Sequence, residues 1–372
     1  MLNERNYFSL RKTIVLLCLG LLAFSGLVLT GSALAQNTKM KEEKTVKKTK
    51  SKPKKVKEKS QADKDATMEA DKDRMNALGL YYDYSHLSLE DTVKAYLDEF
   101  GIAHDQVAFS YKDLESGKTA SMNDTQPMTA GSTYKLPLNM LVVDEVAKGK
   151  YTLEQRFDIT NTNYELLNEH NAYMAQFKGA MSIPDMQEYS LVYSENTPAY
   201  ALGDRLGGMG KAYTKLGKYG KSKAEIKTIK EKGNKTTSDY YIQVLDYLWK
   251  HKEKYKDILY YIGESFPGEY YKTYLPADVV VYQKPGYVRE ALNVDAVVCE
   301  KSPYLIALYT RYLGGSTEES DEINGIGYGQ LVSLTYVINE WHRVNHNKVD
   351  QPTPALEQEP ASLEEDPTQI VS

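Results

Sequence analysis

The sequence is poor in the residues that build metal and redox centres. Its 372 residues hold two cysteines, Cys18 and Cys299. That is too few for a disulfide framework, a thiolate metal site or an iron–sulfur cluster. The six histidines (His86, His104, His170, His251, His342, His346) never fall at a helical ligand spacing such as H-E-x-x-H. No metal and no cofactor is expected. Glycine (24) and proline (13) are too sparse for a collagen-like or low-complexity chain, and no internal repeat is visible. The chain has no overall excess of positive charge either: its net charge is −5. What basic residues there are concentrate near the N-terminus, which leaves the central part net acidic and unsuited to nucleic acid. Against these absences stands a chain that is 41% hydrophobic and 26% charged, enough apolar material for a sizeable buried core and too much for a wholly disordered chain.

The N-terminal residues 1–35 have the layout of a secretory signal. Arg11 and Lys12 precede an apolar stretch from Ile14 to Leu29, and the small residues Ala33 and Ala35 flank Leu34 ahead of Gln36. The run is long for a signal and short for a comfortable membrane span, so a cleaved signal and a retained anchor both stay open. Either places the rest of the chain outside the cytoplasm, secreted or anchored facing outward. Cys18 lies inside the apolar run and does not end it, unlike a lipidated cysteine.

Residues 36–75 contain few large apolar residues. Residues 39–59 hold 11 lysines against Glu42, Glu43 and Glu58. The whole stretch reads as an extended, disordered linker, either a plain spacer or a segment drawn to anionic membrane or cell-wall polymer. Residues 349–372 carry six acidic residues, no basic one and Pro352, Pro354, Pro360 and Pro367; they read as a disordered tail. One domain is expected between them, over residues 76–348, and a monomer.

Within that domain Ser88 caps a helix carrying Leu89, Val93, Leu97 and Phe100 on one face, ended by Gly101. Val107, Phe109 and Tyr111 alternate as a strand, and a turn at residues 115–118 leads into a second strand over residues 119–122. Residues 131–148 and most of 180–260 have helical patterns. Val279–Tyr282, Val294–Val298 and Leu305–Tyr309 read as late strands, and a last helix presents Leu331, Leu334, Ile338 and Trp341. The order predicts an α+β fold. An antiparallel sheet is built from both ends of the domain and flanked by helices, with an all-helical subdomain inserted between them. The 31 tyrosines, in pairs such as Tyr240-Tyr241, Tyr260-Tyr261 and Tyr270-Tyr271, read as half-buried amphipathic positions, with a carbohydrate-stacking surface as the sharper alternative.

Three short segments carry chemistry. Ser132-Thr133-Tyr134-Lys135 places a hydroxyl and an amine about one helical turn apart. A serine hydroxyl is a weak nucleophile until a neighbouring base takes its proton, and a desolvated lysine is such a base. Ser194-Glu195-Asn196-Thr197 offers a hydroxyl for proton relay and an amide for holding a carbonyl. Lys284-Pro285-Gly286-Tyr287, after a strand, offers a cation for a carboxylate, a glycine for close substrate approach and a backbone N–H for an oxyanion. Taken singly, each has a plain reading: a capping serine beside a solvated lysine, a polar loop, a Pro-Gly turn.

Together and in this order the three segments resemble the motifs of the penicillin-recognising serine hydrolases, class A β-lactamases most closely. The resemblance extends over roughly residues 88–340, including the early hairpin and the run from Met181 to Gly208. It implies Ser132 as acylated nucleophile, Lys135 as its base and Ser194 as proton relay to the leaving nitrogen. Asn196 would hold the substrate amide, and Lys284 the carboxylate. Gly286 and Tyr287 would line the binding strand, with the N–H groups of Ser132 and Tyr287 as oxyanion hole. The partner implied is a β-lactam or the stem peptide of peptidoglycan. The sequence departs from the family in two places. No Glu-x-x-Leu-Asn follows the second motif; Glu225 and Glu231 are the glutamates available there as deacylation base, which implies slow deacylation. Pro285 stands where the family has a hydroxyl, and no arginine on Leu305–Tyr309 replaces it; Arg289 is near in sequence. Three readings follow: a serine hydrolase for these substrates, a cell-envelope binding or scaffold protein with little turnover, and another amide or ester hydrolase on the same fold.

Overall fold

A computed structural model describes residues 58–159 and 167–346. The signal or anchor over residues 1–35, the lysine-rich stretch up to residue 57 and the acidic tail lie outside the described residues. In chain order the elements are α1 (Gln61–Leu78), α2 (Leu89–Glu99), β1 (Val107–Asp113), β2 (Thr119–Met122), β3 (Met128–Thr129), α3 (Lys135–Ala147), β4 (Arg156–Asp158), α4 (Leu167–Phe177), β5 (Ala180–Ser182), α5 (Ile183–Leu191), α6 (Asn196–Arg205), α7 (Met209–Lys215), β6 (Lys235–Thr236), α8 (Ser238–Lys250), α9 (Lys256–Glu264), β7 (Val280–Val288), β8 (Ala291–Cys299), β9 (Tyr304–Thr310) and α10 (Gly325–Asn345). Among the described residues no helix is long and apolar enough to cross a membrane.

The main sheet has five strands in the order β2-β1-β9-β8-β7, all antiparallel. Its strands come from both ends of the domain, and the helices α3 to α9 are inserted between them. Period-two alternation splits each strand between two apolar layers. Ala108, Val297, Leu305, Ala307 and Tyr309 face the inserted helices. Phe109, Tyr111, Val294, Ala296, Ile306 and Leu308 face α1, α2 and α10.

Three expectations need correction. Residues 61–75 are not extended linker but most of α1. Ser60 and Asp63 form a capping box, Gly79 ends the helix at φ +67°, and Met68 and Met75 are buried. Arg343 of α10 bonds Asp71 at 3.0 Å. Two methionines two turns apart and one ion pair dock an otherwise polar helix. The composition that marked the stretch as solvated therefore misjudged it, and the folded unit begins near residue 60. Phe100 does not share the buried face of α2; it lies just past the helix end and is 43% exposed. The third motif does not follow a strand but lies within one, since β7 runs through Lys284-Pro285-Gly286-Tyr287, paired with β8. β7 is an edge strand, where a proline's missing N–H is tolerated.

The nucleophile-bearing helix α3 is buried nearly all round, with Leu136, Leu138, Met140, Leu141 and Val142 inside. Its far end is tied down by Asp144, buried and bonded by Lys218, Lys254, Tyr219 and Tyr255. Burial pushes this carboxyl up, but the hydrogen bonds from the two lysines and two tyrosines outweigh it and hold it at about 2. A folded-state value below the unfolded 3.8 stabilises the fold above about pH 4 and loses that contribution as pH falls toward 2. Asp144→Asn is expected to cost about 2 kcal/mol at pH 7. Urea unfolding of the two chains should converge between about pH 4 and pH 2; equal midpoints at pH 7 would remove this role.

Of the tyrosine pairs, Tyr240, Tyr241, Tyr270 and Tyr271 are buried, while Tyr260 is exposed. The first and third pairs are core, not stacking surface.

Candidate active site

Ser132 lies in a 3-10 turn, Gly131–Tyr134, that leads directly into α3. In such a turn residues i and i+3 eclipse, which sets Ser132 and Lys135 on one face. Lys135 is buried, and its Nζ donates to the Ser194 carbonyl oxygen at 2.6 Å and to Asn196 Oδ1 at 2.7 Å. Lys284 is buried in β7, and its Nζ donates to Ser194 Oγ at 2.8 Å and to the Pro285 carbonyl oxygen at 3.1 Å. Segments far apart in sequence thus converge on Ser194, one lysine on its carbonyl and one on its hydroxyl. Ser132, Ser194 and Asn196 are half-buried, open enough for a ligand to reach.

Ser194 sits at φ +60°, a left-handed conformation that costs a non-glycine residue on the order of 1 kcal/mol and recurs at functional sites. It lies in the turn between α5 and α6. Asn196 is the first residue of α6, whose N-cap Glu195 makes no side-chain cap. Glu169 of α4 supplies that cap instead. It accepts from the backbone N–H of Thr197 at 2.9 Å and of Asn196 at 3.4 Å, and from Thr197 Oγ1 at 2.7 Å.

The turn and β7 meet backbone to backbone. A Cβ on Gly286 would lie 2.5 Å from the Ala130 carbonyl oxygen and 2.9 Å from the Thr133 nitrogen. A Cβ on Gly131, at φ +56°, would lie 2.9 Å from the Gly286 carbonyl carbon and 3.0 Å from the Tyr287 nitrogen. Only glycine at both positions permits this approach. It brings the Tyr287 amide alongside the Ser132 turn, the arrangement two oxyanion donors require. Further bonds hold the turn. Asn293 Nδ2 donates to the carbonyls of Thr129 (2.8 Å) and Ala130 (3.2 Å), Asn234 Nδ2 to that of Gly131 (3.0 Å), and the Ala130 N–H to that of Asn234 (2.7 Å).

Burial pushes the Lys284 amine well below its ordinary value, and the charge of Lys135 pushes the same way. Two amines held close in a dry site do not both stay protonated, which suits one of them to act as a base.

The remaining expected residues fall elsewhere. Glu225 and Glu231 are exposed, in the loop before β6. The Glu231 carboxylate lies over Gly210 of α7, 3.0 Å from where a Cβ would be. Pro285 is buried and supplies no hydroxyl. Arg289 is exposed at the β7–β8 turn, at φ +50°. Among the described residues no cluster of three His, Cys, Asp or Glu is placed to hold a metal. Sequence reasoning missed Glu169, Asn234 and Asn293. Glu169 lies 27 residues from Asn196, with no local pattern joining them. Asn293 is the register partner of Gly286, and recognising that β8 begins at Ala291 would have found it.

A family model described as the beta-lactamase enzyme family matches residues 88–328. No curated protein matches. Solved structures do. A beta-lactamase from Desulfarculus baarsii is 18% identical with a TM-score of 0.56, over 68% of this chain and 98% of that one. A beta-lactamase from Chitinophaga pinensis is 20% identical with a TM-score of 0.55, over 69% and 99%. An ancestral class A beta-lactamase is 17% identical with a TM-score of 0.56, over 68% and 99%. At these identities the likeness is one of fold.

Proposed function

The chain belongs to the beta-lactamase enzyme family, and on that premise we propose that it is an exported serine hydrolase acylated on Ser132 by a β-lactam or a D-alanyl-D-alanine-like peptide, with slow deacylation. The observation that carries this reading is the convergence of Lys135 and Lys284 on Ser194. Lys135 takes the proton of Ser132 as its Oγ attacks the substrate carbonyl carbon. The tetrahedral oxyanion receives the N–H groups of Ser132 and Tyr287. As the C–N bond breaks, Ser194 passes a proton to the leaving nitrogen, with the charge of Lys284 beside its hydroxyl. Asn196 orients the substrate amide, and Lys284 attracts the carboxylate. Hydrolysis of the acyl-enzyme then needs a base to activate water. Exposed Glu225 and Glu231 are poorly set for that, which supports slow turnover.

Export rests on the charged and apolar pattern of residues 1–35. The lysine-rich stretch that follows would lie near an anionic membrane or cell wall. A second reading, a cell-envelope binding protein with little turnover, is favoured by Pro285, whose position has no hydroxyl to hold a carboxylate.

The test is the intact mass of the full chain during hours of incubation with a penicillin. A persistent adduct is the expected result. A transient adduct with loss of the antibiotic would replace slow deacylation by β-lactamase turnover. No adduct and no loss would overturn acylation by this substrate class and favour the binding reading.

A further inference from the structure

Asp295 is a fully buried acid that the mechanism above does not use. It lies on β8 as the register partner of Lys284 on β7. Directly opposed residues of an antiparallel pair have Cβ atoms about 4.5–5.5 Å apart on one face of the sheet. That face is the one turned toward the inserted helices and the site. Asp295 Oδ2 accepts from the Tyr309 hydroxyl at 2.9 Å, and Oδ1 has no hydrogen-bond partner among the described residues. The Tyr309 hydroxyl also lies 3.0 Å from Thr133 Oγ1, which donates to the Ala130 carbonyl at 2.9 Å. The acid is thus joined to the turn that carries Ser132.

We propose that Asp295 is a positioning residue that keeps the proton on Lys284 and thereby leaves it off Lys135. This rests on the reading of Lys135 as the base. Two buried amines share this site, and something must decide which one holds charge. Lys135 donates two hydrogen bonds, a number that an unprotonated amine can supply while its lone pair stays available for the proton of Ser132. Lys284 supports the relay and the substrate carboxylate only as an ammonium. The groups facing Asp295 are Lys284 from β7, Tyr309 from β9, and Tyr240 and Tyr241 from α8; Lys135 from α3 acts on Lys284. The phenols are neutral, so Asp295 is the group on the sheet whose negative charge opposes the loss of the Lys284 proton. Burial pushes the Asp295 carboxyl up, and the Tyr309 hydrogen bond and the Lys284 charge pull it back. A purely packing role would be served as well by an apolar residue such as Val297 on the same face, without the cost of burying an acid.

The test is the pH titration of the Lys284 and Lys135 side chains in the full chain, labelled with 13C at lysine Cε, assigned through Lys→Arg variants and read by NMR without any substrate. In Asp295→Asn the Lys284 midpoint is expected to fall by about one to three pH units, while that of Lys135 rises. Tyr309→Phe removes the donor that favours the ionised acid and should move Lys284 the same way by less; it decides the matter if Asp295→Asn does not fold. An unchanged Lys284 midpoint in the folded variant overturns the proposal. Failure of the wild-type chain to form a penicillin adduct would bear on the proposed function alone, because the titration needs no acylation.

Discussion

Ser132→Ala is expected to gain no mass from a penicillin that labels the wild-type chain. Removing the nucleophile of a serine hydrolase costs on the order of a millionfold in rate, so the variant should remain unmodified over the hours in which wild type is fully converted. The effect should be confined to chemistry. Ser132 is half-buried, the turn is held by Asn234, Asn293 and the glycine contacts rather than by its hydroxyl, and the thermal midpoint should stay within a degree or two. That combination separates an enzyme from a binding protein. If penicillin binds without covalent change, and binding survives Ser132→Ala, the hydroxyl is a bystander. If the variant is labelled at the wild-type rate, acylation occurs elsewhere, and the convergence on Ser194 has another meaning.

Much of this site was legible because its parts obey local rules. The hairpin of β1 and β2 follows from alternation at Val107, Phe109 and Tyr111 and from a turn-forming stretch. Helix α2 follows from the Ser88 cap and the spacing of Leu89, Val93 and Leu97. The three motifs named the residues that the fold brings together, because each needs only short-range spacing to be recognised. What escaped depends on contacts between distant segments. The α1 helix has too little apolar surface to announce itself, and it is held by Met68, Met75 and the Asp71–Arg343 pair, partners invisible until α10 is in place. The late strands were read too short because Lys284, Asn293 and Asp295 interrupt the apolar pattern. Those interruptions are the side chains that the sheet turns toward the site. Glu169 was invisible for the same reason, since a carboxylate that caps a helix from another helix leaves no mark on the sequence around either.

The α1 result also bears on how the protein is tested. A chain cut at residue 76 would lose all but the last turn of α1, exposing the face of α10 that Met68 and Met75 cover. Acylation measured on such a fragment would report a disturbed domain, and for that reason the full chain is the proper material.

Lys135→Met is expected to slow acylation by about a hundredfold to ten-thousandfold, the usual worth of a positioned general base, without abolishing it. Methionine keeps the length and apolar stem of the buried side chain and removes the amine. The variant loses the base and also the two donations that join α3 to Ser194 and Asn196, so a slow rate alone would not distinguish chemistry from misplacement. The pH profile does. In wild type the acylation rate should rise with pH as Lys135 loses its proton. In Lys135→Met that limb should vanish, and the residual rate should increase only with hydroxide. Lys135→Arg supplies the other half of the argument: it can restore donors to Ser194 and Asn196 but stays protonated at every accessible pH. If it rescues stability and not rate, the amine acts as a base; if it rescues the rate, Lys135 is a strut and the proton of Ser132 leaves by another path. Removing Lys135 also lifts one of the two influences that depress the Lys284 amine. Lys284 should therefore hold its proton to higher pH in Lys135→Met than in wild type, a shift opposite in sign to that of Asp295→Asn. A wild-type rate and an unmoved Lys284 midpoint in Lys135→Met would together show that the two amines do not share a charge.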